Sequence, residues 1–474
     1  MSGGQDARLA QIRATDPGVS AWVAANAGAG KTRALTDRVA RLLLGGTLPE
    51  RVLCLTYTRA AAAEMQERLF RRLGAWAMMP DEALETALQE LHEATVTLEP
   101  ALLARARRLF AQALETPGGL KIQTIHAFCD ALLRRFPLEA GISPGFRVAD
   151  DRSAALMVEA ARDGLALRAE RGEDAAFDGL AELLSETALQ VMMEAVRQQR
   201  GLFAQAPERA ALAACLGLGR ERSAREQIAA IVAGLGAGEL RAMCRALLEG
   251  GGKDDAPAAE ALRLGMGAPP PDAALDAFEA AFLTKEGQKR SARSFPVKAA
   301  KAIFPGLGAH FEIFKERIAE VRAERLARLT LDRTMVLHGF ARAFLGEFEA
   351  RKEAAGLVDF DDLVGRARAL LTRSDMAAWV LWRLDGGIDH ILVDEAQDTS
   401  PPQWDLIAAL SEEFFAGEGA REARRTLFVV GDLKQSIFSF QGAEPRAFGA
   451  MRGRFRARLA RTGGGLREVA LHHS

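Results

Sequence analysis

AANAGAGKT, residues 24–32, follows the short apolar run AWVAA (21–25) and opens a helical stretch from about Gly30. A buried strand, a turn of small residues and a helix start make a cradle for phosphate. The small residues Ala27, Gly28, Ala29 and Gly30 let backbone N–H groups approach an anion, and the helix N-terminus adds positive potential. Lys31 supplies a mobile point charge for outer phosphates, and the Thr32 hydroxyl suits a Mg²⁺ ion. The pattern G-x-x-x-x-G-K-[ST] is met except at its first position, where Ala25 replaces glycine. An ordinary glycine-rich strand-to-helix turn has the same composition. The placement between strand and helix favours nucleotide.

Working outward, RVLCLT (51–56) reads as a second strand, followed by a helix from Arg59 through Leu73. KIQTI (121–125) reads as a third, and the helix after it ends near Pro137. HILVDE (390–395) and TLFVVGD (426–432) are apolar runs ending in acids. Buried central strands carry functional acids in this way at their carboxyl ends. Strands alternating with helices indicate α/β architecture with a parallel, doubly wound sheet. Residues 151–350 differ: long Ala/Leu/Arg/Glu stretches predict helix throughout, broken at EGGGKDDAP (249–257) and GMGAPPPDA (265–273). The expected organisation is therefore one sheet built from residues 1–150 and 351–474, with an all-helical subdomain, 151–350, inserted between them.

Bulk properties bound the function classes. A chain of 474 residues exceeds one ordinary core. Its net charge of -1 excludes a uniformly basic coat but not a local basic groove for nucleic acid. Cys54, Cys129, Cys215 and Cys244 form no C-x-x-C pair, which supports neither zinc nor an iron–sulfur cluster and fits a reducing, cytoplasmic setting. The N-terminus has no signal-peptide pattern, and Arg or Glu interrupts every long apolar run, so no membrane span is expected.

VDEAQD (393–398) offers the second half of a nucleotide site. Asp394 is placed to hold Mg²⁺, and Glu395 to orient and deprotonate an attacking water. An acidic helix N-cap is the plainer reading of Asp394. In VVGDLKQSIFSFQGAEP (429–445), Gln435 suits a γ-phosphate contact. Phe438 and Phe440, two apart, read either as base-stacking rings or as core aromatics. LTYTRAAAAEM (55–65) sets Tyr57, the one tyrosine of the chain, between Thr56 and Thr58, with Arg59 next. A ring beside hydroxyls and a cation suits a base of single-stranded DNA with its phosphates, and equally a partly buried core tyrosine. In TIHAFCDALLRRFP (124–137), His126 precedes apolar residues and has no metal-partner spacing, so it reads as structural from its own context.

Together these blocks, with VDFDDLV (358–364) and DHILVDEAQDTSPPQWDLI (389–407), resemble the UvrD/Rep-type superfamily 1 helicases and, within them, the AddA-type helicase–nuclease proteins of double-strand-break repair. The blocks run from residue 11 to 445 in the family's order, while the helical middle is similar only in length and character. The resemblance implies a RecA-like fold, ATP and Mg²⁺, single-stranded and duplex DNA, an AddB-type partner subunit, and ATP-driven 3′→5′ translocation with strand separation. It implies an adenine-reading role for Gln11 and packing on adenine for Arg33. It supports the γ-phosphate role of Gln435 and assigns Tyr57, His126 and Phe440 to DNA. Arg59-Ala60 replaces the family's usual Asn-Lys, and Gln441 stands where many relatives carry Arg, both on the presumed DNA face.

Relatives continue past the position of GLREVALHHS with a Phe-Arg-Ser motif, a second RecA-like domain and a nuclease domain. On the resemblance, the chain is expected to be an N-terminal portion that binds nucleotide, hydrolyses it slowly and does not unwind DNA alone. A non-catalytic DNA-binding or assembly module, and a nucleotide switch unrelated to DNA, are the alternatives.

Overall fold

A computed structural model of the protein describes residues 2–26, 28–92, 99–173, 177–181, 183–267, 270–291, 295–372, 377, 379–380, 383, 388–415, 424–435, 444–461 and 463–471. The chain divides into two compact units, residues 1–159 with 349–474, and residues 160–348.

The first unit is built on a six-stranded parallel sheet. Its strands are β1 (Ser20–Ala25), β2 (Val52–Thr56), β3 (Lys121–Thr124), β6 (His390–Val393), β7 (Thr426–Gly431) and β8 (Leu466–Leu471), in the spatial order β3-β2-β6-β7-β1-β8. The pairs run in register through Leu53↔Ile391, Ile391↔Leu427 and Trp22↔Val429. The short strands β4 (Arg147–Val148) and β5 (Leu357–Val358) form a separate parallel pair. The four strands expected from apolar runs in β1, β2, β6 and β7 are present, as is β3. β8 was not anticipated, because Arg467 and Glu468 interrupt its apolar pattern. Those two side chains lie along a sheet edge, where Arg467 pairs with Asp16 at 2.9 Å and Glu468 with Arg452 at 3.5 Å.

Alternation of side chains along each strand splits the core between the two faces of the sheet. On one face, Ala21, Val23, Val52, Cys54, Leu392, Phe428 and Val430 pack with residues of the helices that follow the first strands. These are α2 (Lys31–Leu44), α3 (Arg59–Met78), α4 (Asp81–Gln89) and α5 (Pro100–Glu115); the N-terminal α1 (Ser2–Ala14) adds Ala14. On the other face, Trp22, Leu53, Leu55, Ile391, Val393, Leu427 and Val429 meet α6 (Ile125–Arg135) and the helices Phe360–Thr372, Pro401–Leu410 and Pro445–Arg461. Trp22 anchors that face, stacked on Trp404 at 5.7 Å and tilted against Phe448 at 4.8 Å. Helices of β1→α2→β2 and of β7→Pro445–Arg461→β8 thus lie on opposite faces. The strand order therefore reverses between β1 and β7, and a crevice opens there at the strands' carboxyl ends.

Arg38 fixes α2 to the sheet. Its guanidinium is fully buried and donates to the Val19 carbonyl at 2.7 Å, to Thr426 Oγ1 at 2.9 Å and to the Asp16 carbonyl. It also lies 5.2 Å from the centre of the Phe428 ring. Burial pulls its pKa down to about 9, against the attraction of Asp16, so it keeps its charge at neutral pH.

The second unit is helical, and its described residues include one isolated β-bridge, Leu283↔Lys289. The expected breaks fall at real helix ends: Ala237–Gly250 stops where EGGGKDDAP begins, and Asp255–Met266 stops at GMGAPPPDA, whose residues 268–269 lie outside the described ones. Its core is a cluster of phenylalanines, with Phe282, Phe295 and Phe314 around Phe311 at 4.8, 5.0 and 6.2 Å. No described helix is long and apolar enough to cross a membrane.

Candidate functional site

Between the end of β1 and the start of α2, the backbone turns through left-handed conformations at Gly28 (φ 75°) and Gly30 (φ 81°), which glycine adopts without a Cβ penalty. Gly30 caps α2 without a side-chain acceptor, and the first turn of α2 carries no acidic residue. The N-terminal amides of the helix are thus left to an external anion. Ala25 is buried as the last residue of β1, and Ala27 lies outside the described residues. Lys31 and Thr32 occupy the first turn of α2, both half-buried.

The acids come from the neighbouring strand ends. Asp394 follows β6 and extends its ladder, its N–H donating to the Leu55 carbonyl at 2.9 Å. The residue is 8% exposed, and its Oδ1 accepts the Glu395 N–H at 2.9 Å. Burial, with the like charges of Glu395 and Glu64, pushes the Asp394 pKa up to about 6. Glu395 itself has φ 46° and ψ 42°, the one positive-φ residue other than glycine among the described residues. Such a backbone costs about 1–3 kcal/mol and gathers at functional sites. Here the turn brings the Glu395 carboxylate to Lys31, whose Nζ donates to Glu395 Oε2 at 2.9 Å and to Gln435 Oε1 at 2.9 Å. Residues separated by 364 and 404 positions thus meet at one ammonium.

A raised carboxylate pKa has a consequence for stability. The folded pKa of Asp394 exceeds its unfolded value of 3.8, so the ionised form is disfavoured in the fold. The penalty is absent below pH 3.8 and complete once pH has risen through about 6. Asp394→Asn keeps the oxygen that accepts the Glu395 N–H and removes the charge. We expect it to stabilise the metal-free protein by about 1–3 kcal/mol at pH 7.5, with the gain disappearing toward pH 4. Urea titrations at the two pH values check this; an equal effect at both would contradict it.

Gln11, on α1, has a buried Nε2 with no partner among the described residues. That nitrogen lies 3.4 Å from where a Cβ on Gly30 would sit, and Gln11 lines a pocket with Ile12, Thr15, Arg33, Asp37 and Leu91. Arg33 is largely exposed, with its Nε 3.8 Å from Asp37. An unpaired amide donor in a pocket beside the loop fits a heterocyclic base.

Tyr57 and His126 sit just past the carboxyl ends of the paired strands β2 and β3, where Thr56 is in register with Thr124. Burial and the nearby Asp398 raise the Tyr57 phenol. The Thr58 hydroxyl accepts the Ala61 N–H at 3.1 Å and so N-caps α3, while Arg59 is exposed in the first turn. The His126 ring stands edge-on to Phe360 at 5.1 Å, and burial lowers its pKa. Phe438, Phe440 and Gln441 lie outside the described residues. Two neighbours of the acids were not singled out from sequence, Gln397 and Gly431, and Asp432 was read only as the acid that ends TLFVVGD. Their signal, the Gln of VDEAQD and the Gly-Asp at the end of β7, lies inside motifs already read, but their contact needs the β6–β7 register.

A sequence profile described as the UvrD/REP helicase N-terminal domain matches residues 7–456. The chain is 30% identical to a protein of Pelotomaculum thermopropionicum and 31% to one of Desulforudis audaxviator, both bearing the name of an ATP-dependent helicase/nuclease subunit. These alignments cover 94% and 95% of this chain and 36% and 37% of the relatives. A protein of the same name from Levilactobacillus brevis is 27% identical over 90% of the chain and 34% of its own length. The chain thus spans little more than a third of these relatives.

Proposed function

The chain belongs to the UvrD/REP helicase family, and on that premise we propose that it is the ATP-binding motor of a superfamily 1 DNA helicase of double-strand-break repair. The observation that carries this reading is the meeting of Lys31, Glu395 and Gln435 at single hydrogen-bond distances beside a glycine loop and a bare helix N-terminus.

Asp394 fits a divalent cation: it is a buried carboxylate beside a second one, with its ionised form disfavoured until positive charge arrives. Asp394 and Thr32 would hold Mg²⁺, which supplies charge neutralisation for phosphates when bound. The residues of the chain do the rest. Lys31 leaves Glu395 for the outer phosphates, assisted by the amides of residues 30–33. Glu395, freed of its ammonium partner, accepts the proton of the attacking water. Gln435 contacts the terminal phosphate, while Gln11 and Arg33 hold adenine.

Single-stranded DNA is proposed to cross the carboxyl ends of β2 and β3, touching Tyr57, Thr58, Arg59 and His126, with Phe438 and Phe440 stacking on bases. The motor would move 3′→5′, unwind duplex DNA, and work beside an AddB-type partner; the word "subunit" in the relatives' name supports such a partner.

Binding of a fluorescent oligonucleotide tests the DNA reading. We expect affinity to fall steeply with salt, as phosphate contacts require. Tyr57→Ala should cost about 1–3 kcal/mol of DNA binding and leave ATP affinity unchanged. Salt-independent binding, or an unchanged Tyr57→Ala affinity, would exclude this strand path.

A further inference from the structure

We propose that Gln397 is a positioning residue that locks the Glu395 carboxylate to the turn bearing Gln435, so that the two move as one unit when Lys31 leaves for nucleotide. This rests on the reading of Glu395 as the base.

Gln397 is 1% exposed and lies in the short turn Ala396–Asp398. Its Nε2 donates to Glu395 Oε2 at 2.7 Å and to Asp398 Oδ2 at 3.0 Å, and its Oε1 accepts the Asp432 N–H at 2.8 Å. Two carboxylates that accept and one backbone N–H that donates fix which way the amide faces. Asp432 then turns the chain: its carbonyl accepts the Gln435 N–H at 3.0 Å, and its Oδ1 the Lys434 N–H at 3.0 Å. Gln435 returns to Lys31, which returns to Glu395. The bonds therefore close a ring through Lys31, Glu395, Gln397, Asp432 and Gln435.

Two bonds of that ring belong to Lys31, and they are the ones a phosphate competes with for its ammonium. Gln397 is what still joins Glu395 to Asp432 and Gln435 afterwards. The close approach depends on Gly431 at the end of β7. A Cβ there would stand 2.8 Å from Gln397 Oε1, 3.2 Å from its backbone nitrogen and 3.0 Å from the Phe448 ring. Gly431 is therefore the residue that lets β7 come against the amide.

The test uses Gln397→Leu and Gly431→Ala in the intact native protein. Single-turnover hydrolysis of radiolabelled ATP and equilibrium ATP affinity are measured side by side, with Glu395→Gln as reference. Gln397→Leu removes both halves of the link; Gly431→Ala displaces the amide without altering it. Each is expected to slow hydrolysis by about 10–100-fold, the size of effect a base misplaced by about an ångström produces. ATP affinity should stay within about threefold, since Lys31, which brings the charge to the phosphates, is untouched. The double variant should be little worse than the poorer single one, because both break the same contact. A wild-type rate in Gln397→Leu, or a loss of rate matched by equal losses of ATP affinity and thermal stability, overturns the proposal. A wild-type rate in Glu395→Gln removes the base reading itself, and the proposal with it; loss there with full activity in Gln397→Leu removes the proposal alone.

Discussion

Glu395→Gln is expected to slow ATP hydrolysis by about 10²–10⁴-fold, the range for loss of a general base, while ATP binds as tightly as before or severalfold more tightly. The amide keeps the shape of the carboxylate and its place in the strained turn after β6. It cannot accept the proton of water as a carboxylate does. The gain in affinity follows from the geometry at Lys31. Its ammonium lies 2.9 Å from Glu395 Oε2, so phosphates compete with an existing ion pair for that charge. Glu395 is 34% exposed, so the pair is screened and its loss is worth severalfold rather than orders of magnitude. Titrating ATP into both proteins, and following single-turnover hydrolysis, gives both numbers. Loss of ATP binding in the variant would mean that Glu395 holds the loop together instead of acting as base.

Lys352→Met is expected to destabilise the sheet-bearing unit by about 3–5 kcal/mol, the penalty for breaking a buried ionic cluster from one side. Lys352 is 1% exposed. It lies 2.9 Å from Glu349 and from Asp359, and 2.5 Å from Asp362. Burial works against its charge, but Asp359 and Asp362 outweigh burial and raise its pKa. Asp359 and Asp362 also cap each other, with N–H to carboxylate bonds of 3.0 and 2.8 Å. The node holds the end of the helix Leu307–Ala354 against the start of Phe360–Thr372, whose Leu363, Val364, Ala367 and Leu370 enter the core. Glu349, Asp359 and Asp362 are the one carboxylate trio with metal-like spacing among the described residues, and the Lys352 ammonium pairs with all three. Because a raised lysine pKa loses its stabilisation only as pH climbs through the folded value, above 10.5, the difference between the proteins should be flat from pH 6 to 9. Urea unfolding across that range measures it. A difference below about 1 kcal/mol would place the cluster among surface-like pairs.

The sheet was legible because its central strands are short apolar runs that end in chemistry: AWVAA before the glycine loop, HILV before Asp394, TLFVVG before Asp432. Burial on both faces leaves no alternation to confuse with a helix. β8 escaped because an edge strand faces solvent on one side, and its Arg467 and Glu468 serve as ion-pair partners instead of core. Lys31, Glu395 and Gln435 were legible as motif residues whose spacing to a strand end is local. Gln397 was not, since its value depends on Gly431 arriving from the next strand in chain order, and β6–β7 register is invisible in a single sequence. Thr58, anticipated as a DNA contact, has its hydroxyl engaged as the N-cap of α3, a task that any strand-to-helix junction needs. The VDFDDLV block contributed to the family resemblance, yet two of its three acids, Asp359 and Asp362, belong to the Lys352 node.

The most direct test of the central claim is calorimetric titration of residues 1–474 with ATP, with and without Mg²⁺, beside Lys31→Ala. The account predicts one site per chain, binding strengthened by Mg²⁺, and an affinity at least about tenfold weaker in the variant, which is about 1.4 kcal/mol. Equal affinity in the two proteins would contradict it, because the loop at residues 24–32 would then not be where the phosphates bind.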